Sequence, residues 1–165
     1  MEPIQLKFKD DGKIPNSRLP LLVYKNVFSE EKADADFIIQ HFESHNWKNA
    51  WKDGVYDYHH YHSNTHEVLG VYSGYAVLQF GGENGEEVAV EEGDAITIPA
   101  GVGHKKIEAS EDFGVVGAYP DGSGYDIMKG EANERPQADD NIAKVPLPEF
   151  DPVYGKMEGL SGLWK

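Results

Sequence analysis

Through most of this chain apolar residues either alternate with polar ones or gather in short blocks separated by glycine, asparagine or proline. The clearest blocks run over 68–72, 75–80, 88–90, 95–98 and 115–119, each rich in Val, Tyr, Ile or Ala, and each predicts a β-strand. Gly81-Gly82-Glu83-Asn84-Gly85 predicts a hairpin loop between two of them. Earlier, Ile4 to Phe8 alternates and Leu19 to Tyr24 carries Pro20, so these two predict edge or arm strands rather than central ones. The period changes only before residue 45. Ile38, Ile39 and Phe42 fall on one helical face, Ser29 can cap, Glu30 and Glu31 suit the first turn, and Lys32, Asp34 and Asp36 are left for solvent. One helix from Ser29 to about Ser44 is expected on an otherwise all-β chain, with the strands forming an antiparallel sandwich or barrel. Beyond Tyr119, Pro120, Pro136, Pro146, Pro148 and Pro152 favour extended chain. Residues 130–165 are expected to wrap the outside of the barrel or reach a partner through Ile142, Val145, Leu147 and Phe150, with disorder expected at the last few.

The 165 residues suit one domain, divided into an N-terminal arm and helix (1–46), a core barrel (about 50–120) and an extended C-terminal segment (121–165). Cysteine is absent, which removes disulfides, thiolate ligands and a thiol nucleophile from consideration. No apolar stretch follows Met1 and none approaches the ~18 residues of a membrane span, so a cytoplasmic protein without a membrane partner is expected. The net charge of -14 argues against nucleic acid as a partner.

The chemistry gathers between Gly54 and His104. His60 and His62 are two apart, which on a strand puts both imidazoles on one face. Glu67 returns a carboxylate after a short loop, and His104 arrives just past the turn Pro99-Ala100-Gly101. Three imidazoles and one carboxylate make a nitrogen and oxygen shell suited to Mn, Fe, Co, Ni, Cu or Zn. Alternation turns His59 away from that face. His66, in the loop beside Glu67, can compete as a ligand only if the register shifts. His41 and His45 suit the end of the helix, where a positive charge meets the dipole. Tyr56, Tyr58, Tyr61 and Tyr72 make the neighbourhood aromatic. Tyr58 shares parity with His60 and His62, so it is the first choice to line the pocket and the candidate catalytic residue. Lys105 and Lys106 are read as solvated.

The two segments match both halves of the cupin signature, G-x5-H-x-H-x4-E-x6-G at Gly54 to Gly74 and G-x5-P-x-G-x2-H-x3-N from Gly93, except that Glu108 stands for the final Asn. More loosely, phrases such as His60-Tyr61-His62-Ser63-Asn64-Thr65-His66-Glu67 and Val102-Gly103-His104-Lys105 resemble the bacterial YjlB-like subgroup. The resemblance implies an RmlC-like jelly roll, or double-stranded β-helix, and a divalent transition metal (Fe, Mn, Ni or Zn) held by His60, His62, Glu67 and His104. It also implies a homodimer joined through terminal arms. The expected partner is a small molecule inside the barrel. A metal-dependent dioxygenase or isomerase leads, a binding or sensing module with a structural metal follows, and a metal-free epimerase pairing a histidine with a tyrosine comes last.

Overall fold

The computed structural model describes residues 2–29, 33–155 and 160–165. In chain order the elements are β1 (Ile4–Phe8), β2 (Ser17–Tyr24), α1 (Ala35–Ser44), β3 (Trp47–Asp53), β4 (Glu67–Ser73), β5 (Tyr75–Phe80) and β6 (Glu86–Glu91). They continue with β7 (Ala95–Ile98), β8 (His104–Ala109), β9 (Gly114–Pro120), α2 (Gln137–Lys144) and α3 (Leu160–Leu163). The strands form two antiparallel sheets, one of order β1-β2-β7-β4-β9-β3 and a smaller one of order β6-β5-β8. This is a jelly-roll β-sandwich. No helix among the described residues is long and apolar enough to cross a membrane.

The larger sheet is covered on both faces, which explains why its strands read as unbroken apolar blocks. On β2, Leu21 and Val23 point into the sandwich with Leu69, Val71, Leu78, Phe80, Ile96 and Val115. Their neighbours Leu22 and Tyr24 point the other way, joining Ile38 and Phe42 of α1, Val68, Val116 and Ala118. β2 is therefore an inner strand, against the expectation of an edge. Pro20 is tolerated because β7 pairs only with Leu22, Val23 and Tyr24, so on that flank nothing needs its missing N–H.

The helix is shorter than the periodicity suggests. It starts at Ala35, where the Asp34 side chain accepts the Phe37 N–H at 2.8 Å, and Ser29 lies outside it. Glu30, Glu31 and Lys32 fall outside the described residues. Between β3 and β9 the register slips by one residue from Lys48↔Tyr119 to Trp51↔Gly117, with Asn49 at φ 58°. The bulge puts two residues that strict alternation would place on the same face onto opposite ones. Trp47 packs on the helix side, and Trp51 turns into the sandwich.

The C-terminal segment contains helix, which its prolines do not suggest: Gln137–Lys144 is α2, with Ala138 buried against Ile14 and Tyr61. Further on, residues 150–155 and 160–164 are strapped onto the body. Trp47 donates to the Phe150 carbonyl, His45 to Pro152 and His41 to Val153, while Trp164 donates to Pro20 on β2. Burial, helped by the neighbouring His45, holds His41 below its ordinary value of 6.5, although the bond to Val153 works against this. The unfolded chain therefore takes up this proton first, and the stability carried by neutral His41 is lost as the pH falls below about 6.5. His41→Gln keeps the donor without the titration. Its urea midpoint is expected to drop less than the wild-type midpoint between about pH 7.5 and 5.5, and equal drops would show that His41 does not contribute.

Candidate metal centre

The four residues of the sequence pattern are all buried, at 2 to 5% exposure. Glu67 opens β4 opposite Ile98, the last residue of β7. His104 opens β8 and forms an isolated antiparallel bridge with His60, each backbone N–H donating to the other's carbonyl at 3.2 and 2.9 Å. The turn before His104 works by glycine conformation. Gly101 has φ +95°, a Cβ there would lie 2.4 Å from the Asn16 carbonyl oxygen, and its N–H donates to His62 at 2.8 Å. That bond ties the second motif to the first.

All three imidazoles are oriented the same way. Nδ1 of His60 donates to the Tyr58 carbonyl at 3.0 Å, Nδ1 of His104 to Val102 at 3.2 Å, and Nδ1 of His62 to Asp126. A carbonyl can only accept, so each ring carries its proton on Nδ1 and keeps the Nε2 lone pair free when neutral. Nε2 of His62 and of His104 lie 3.3 and 3.4 Å from the same oxygen, Oε1 of Glu67. Two ligands bound at roughly 2.0–2.2 Å to one ion are about 3.0–3.5 Å apart. The donor atoms of His62, Glu67 and His104 all lie within 4.8 Å of one another. His60 is outside that set of three, although its ring centroid is 4.0 Å from that of His104. These residues fit a divalent metal, with His60 alongside.

The charges agree with such a site. Burial works against the Glu67 carboxylate, yet His62 and His104 hold it well below the usual carboxylate range. For His62 burial likewise opposes charge, and the Glu67 carboxylate outweighs it and raises the pKa. His60, further from the carboxylate, is pushed down to about 3 by burial and by His104. It is neutral at pH 7.

The surroundings differ from the sequence reading. Tyr58 does not line the cavity over Glu67, because residues 54–59 form a bent loop in which strand parity has no force. Its ring stacks on Tyr56 at 5.0 Å with Lys129 over it, beside His59 in a separate depression. The cavity, about 190 Å³, is walled instead by Trp51, Tyr56, Leu69, Tyr119, Tyr125 and Ile127, with Lys52 and Asp53 also on its lining. Tyr119 is the site residue that sequence reasoning missed. Its hydroxyl donates to Glu67 Oε2 at 2.7 Å, and its parity with inward-facing Val115 was the available signal. Tyr125, stacked on Tyr119 at 4.7 Å, had no such signal: it sits on a loop held down by Asp126, which binds both the Ser63 N–H and the Ser63 hydroxyl.

His66 is turned away from the cluster. It directly precedes Glu67 and so faces the helix side, where its ring packs on Trp164 at 4.7 Å and its Nδ1 accepts the Ala100 N–H. Burial holds its pKa down to about 4. Glu108, the departure from the signature, is exposed on β8.

A family model described as Cupin domain matches residues 51–115. Over 158 residues the chain is 48% identical to the uncharacterized protein YjlB of Bacillus subtilis (strain 168), an alignment covering 95% of this chain and 93% of that one. Among solved structures, the acireductone dioxygenase from Bacillus anthracis with cadmium ion in its active centre aligns at 16% identity and TM-score 0.41, over 66% of this chain and 78% of its own. The WlaRB TDP-quinovose 3,4-ketoisomerase from Campylobacter jejuni aligns at 18% identity and TM-score 0.44, over 53% and 72%.

Proposed function

Because this chain belongs to the cupin family, in the group of the Bacillus subtilis protein YjlB, we propose that it is a metal-dependent enzyme of the dioxygenase or isomerase type acting on a small molecule. His62, Glu67 and His104 would hold one divalent Fe, Mn, Ni or Zn ion, with His60 as the fourth ligand. The observation that carries this reading is the convergence of two Nε2 lone pairs on a single Glu67 oxygen at the floor of an aromatic cavity. A bound ion there would supply Lewis acidity, and redox capacity if it is iron or manganese.

The chain's own groups support such chemistry in three ways. Neutral His60 has a lone pair to offer at pH 7. The backbone carbonyls of Tyr58, Asp126 and Val102 set the imidazole tautomers before anything binds, which removes a reorganisation step. Glu67 and the three imidazoles are themselves buried at the cavity floor, so charges formed there interact more strongly than in bulk solvent. The cavity of about 190 Å³ is below the ~300 Å³ of typical drug-sized sites. It suits a small metabolite.

The test is elemental analysis of protein purified without a histidine tag, followed by a substrate screen of the loaded and chelator-stripped forms. Close to one transition-metal ion per chain and metal-dependent turnover are expected. Protein that carries no metal, or turnover untouched by stripping, would defeat the proposal. Ligand that binds yet stays chemically unchanged over long incubation would point to a binding cupin instead.

A further inference from the structure

Behind Glu67 lies a hydrogen-bond chain to which the sequence motif does not refer. Trp51 Nε1 donates to the Tyr119 hydroxyl oxygen at 2.7 Å, and that hydroxyl donates to Glu67 Oε2 at 2.7 Å. Its direction is forced by chemistry. An indole N–H can only donate, so the tyrosine oxygen must accept from it, and the tyrosine's one proton is left for the carboxylate, which can only accept when ionised. Oε2 is therefore engaged from behind, and Oε1 is the oxygen presented to His62 and His104 at 3.3 and 3.4 Å.

Two further contacts hold this chain in place. The Tyr125 ring stacks on Tyr119 with centroids 4.7 Å apart and planes inclined by 19°, which fixes the plane in which the hydroxyl points. On the far side the Trp51 indole lies directly over Gly117, its register partner on β9. A Cβ at Gly117 would come within 2.3 Å of the indole carbons Cε2 and Cζ2 and 2.7 Å of Nε1. The backbone of Gly117 is not in the left-handed region, so what the position requires is space rather than conformational freedom. Only glycine leaves room for the indole at the place from which it reaches Tyr119.

We infer that Tyr119 is a positioning residue that restricts Glu67 to offering a single oxygen, Oε1, to a metal ion, and that Trp51 seated over Gly117 holds Tyr119 in that role. The inference rests on the metal-binding reading above. It adds three residues, on β3 and β9, to a site whose sequence signature consists of His60, His62, Glu67 and His104. With one carboxylate oxygen committed elsewhere, Glu67 occupies one position on the ion rather than two, leaving the other for a substrate atom or water.

Co(II) alone serves as the probe, its affinity measured by chelator competition and its surroundings by visible absorption. Tyr119→Phe removes the donor and keeps the ring that stacks on Tyr125. It is expected to weaken Co(II) binding by about 10–100-fold, the usual cost of losing a hydrogen bond to a ligand, and to shift the visible bands as the freed Oε2 changes the coordination. Trp51→Phe and Gly117→Ala, which act on Tyr119 from behind, are expected to shift the same bands in the same direction with a smaller loss of affinity. Tyr119→Phe with less than about a threefold loss, or with weakened binding but unaltered bands, would overturn the inference, the second outcome being what general loosening of the fold produces. Should Tyr119→Phe fail to fold, unchanged bands in Trp51→Phe would overturn it equally. Wild-type protein that binds no Co(II) would defeat the metal reading itself, and that result is visible without any variant.

Discussion

Glu67→Gln is expected to empty the proposed metal centre while leaving the fold in place. Glutamine has the volume of glutamate, and its amide oxygen can still accept the Tyr119 hydroxyl now bonded to Oε2. That orientation turns the amide NH2 toward Nε2 of His62 and His104, where Oε1 now stands. An NH2 group donates well to a neutral imidazole lone pair, so the variant has a satisfied arrangement without metal. The NH2 nitrogen has no lone pair or negative charge to offer an ion where Oε1 stood, and carboxylate ligands hold metal in their deprotonated form. Metal content in untagged protein should fall to below about a tenth of an ion per chain, with the thermal midpoint of the stripped protein close to wild type. Retention of stoichiometric metal in a folded Glu67→Gln protein would mean that the ion is held elsewhere. The same substitution should lower the pKa of His62, because the Glu67 carboxylate is what raises it against burial. Imidazole nitrogen shifts followed by NMR in the stripped protein would report this directly.

The largest expected effect on stability lies far from the cavity, at Asp151. This carboxylate is 1% exposed and accepts four hydrogen bonds from described residues, from the Tyr24 hydroxyl at 2.7 Å and from the backbone N–H groups of Val153, Tyr154 and Leu160 at 2.7, 2.9 and 3.1 Å. Those donors belong to a strand of the larger sheet and to the two parts of the C-terminal strap, so one side chain fastens the strap to the body. Asp151→Ala would leave four donors without their acceptor, three of them on residues that are themselves buried. Each hydrogen bond to a charged group is worth about 1.5–3 kcal/mol, and a buried donor left unpaired costs its full desolvation. Some relaxation and water entry will offset the sum, and a net loss of about 3–5 kcal/mol is expected. Urea unfolding at neutral pH measures it. A loss below about 1 kcal/mol would show that the strap holds without this anchor.

How much of this was legible in the chain depends on how local each signal is. Blocks 75–80 and 95–98 coincide with β5 and β7, since Gly74 and Gly81 enclose the first and Gly93 and Pro99 flank the second, and 68–72 and 115–119 lie within β4 and β9. The helix was found by its face of Ile38 and Phe42, yet its start was misplaced, since Ser29 and Asp34 are equally good caps and only packing chooses between them. α2 was hidden by the prolines around it. The departure at Tyr58 arose because parity was extended across residues that are not in a strand.

By itself, the sequence determined the all-β architecture and the pairing of a His-x-His segment and its following carboxylate with a distant turn and histidine, since alternation and turn chemistry act within a few residues and survive in any fold that buries the apolar face. Only the tertiary structure decided what stands around them. A one-residue bulge between Lys48 and Trp51 turns the indole into the sandwich, and a Cβ-free backbone at Gly117 makes room for it. A loop more than sixty residues from His62 brings the Asp126 carbonyl to it and lays the Tyr125 ring on Tyr119. Bulges and returning loops are set by what packs against what, and no period along the chain records that.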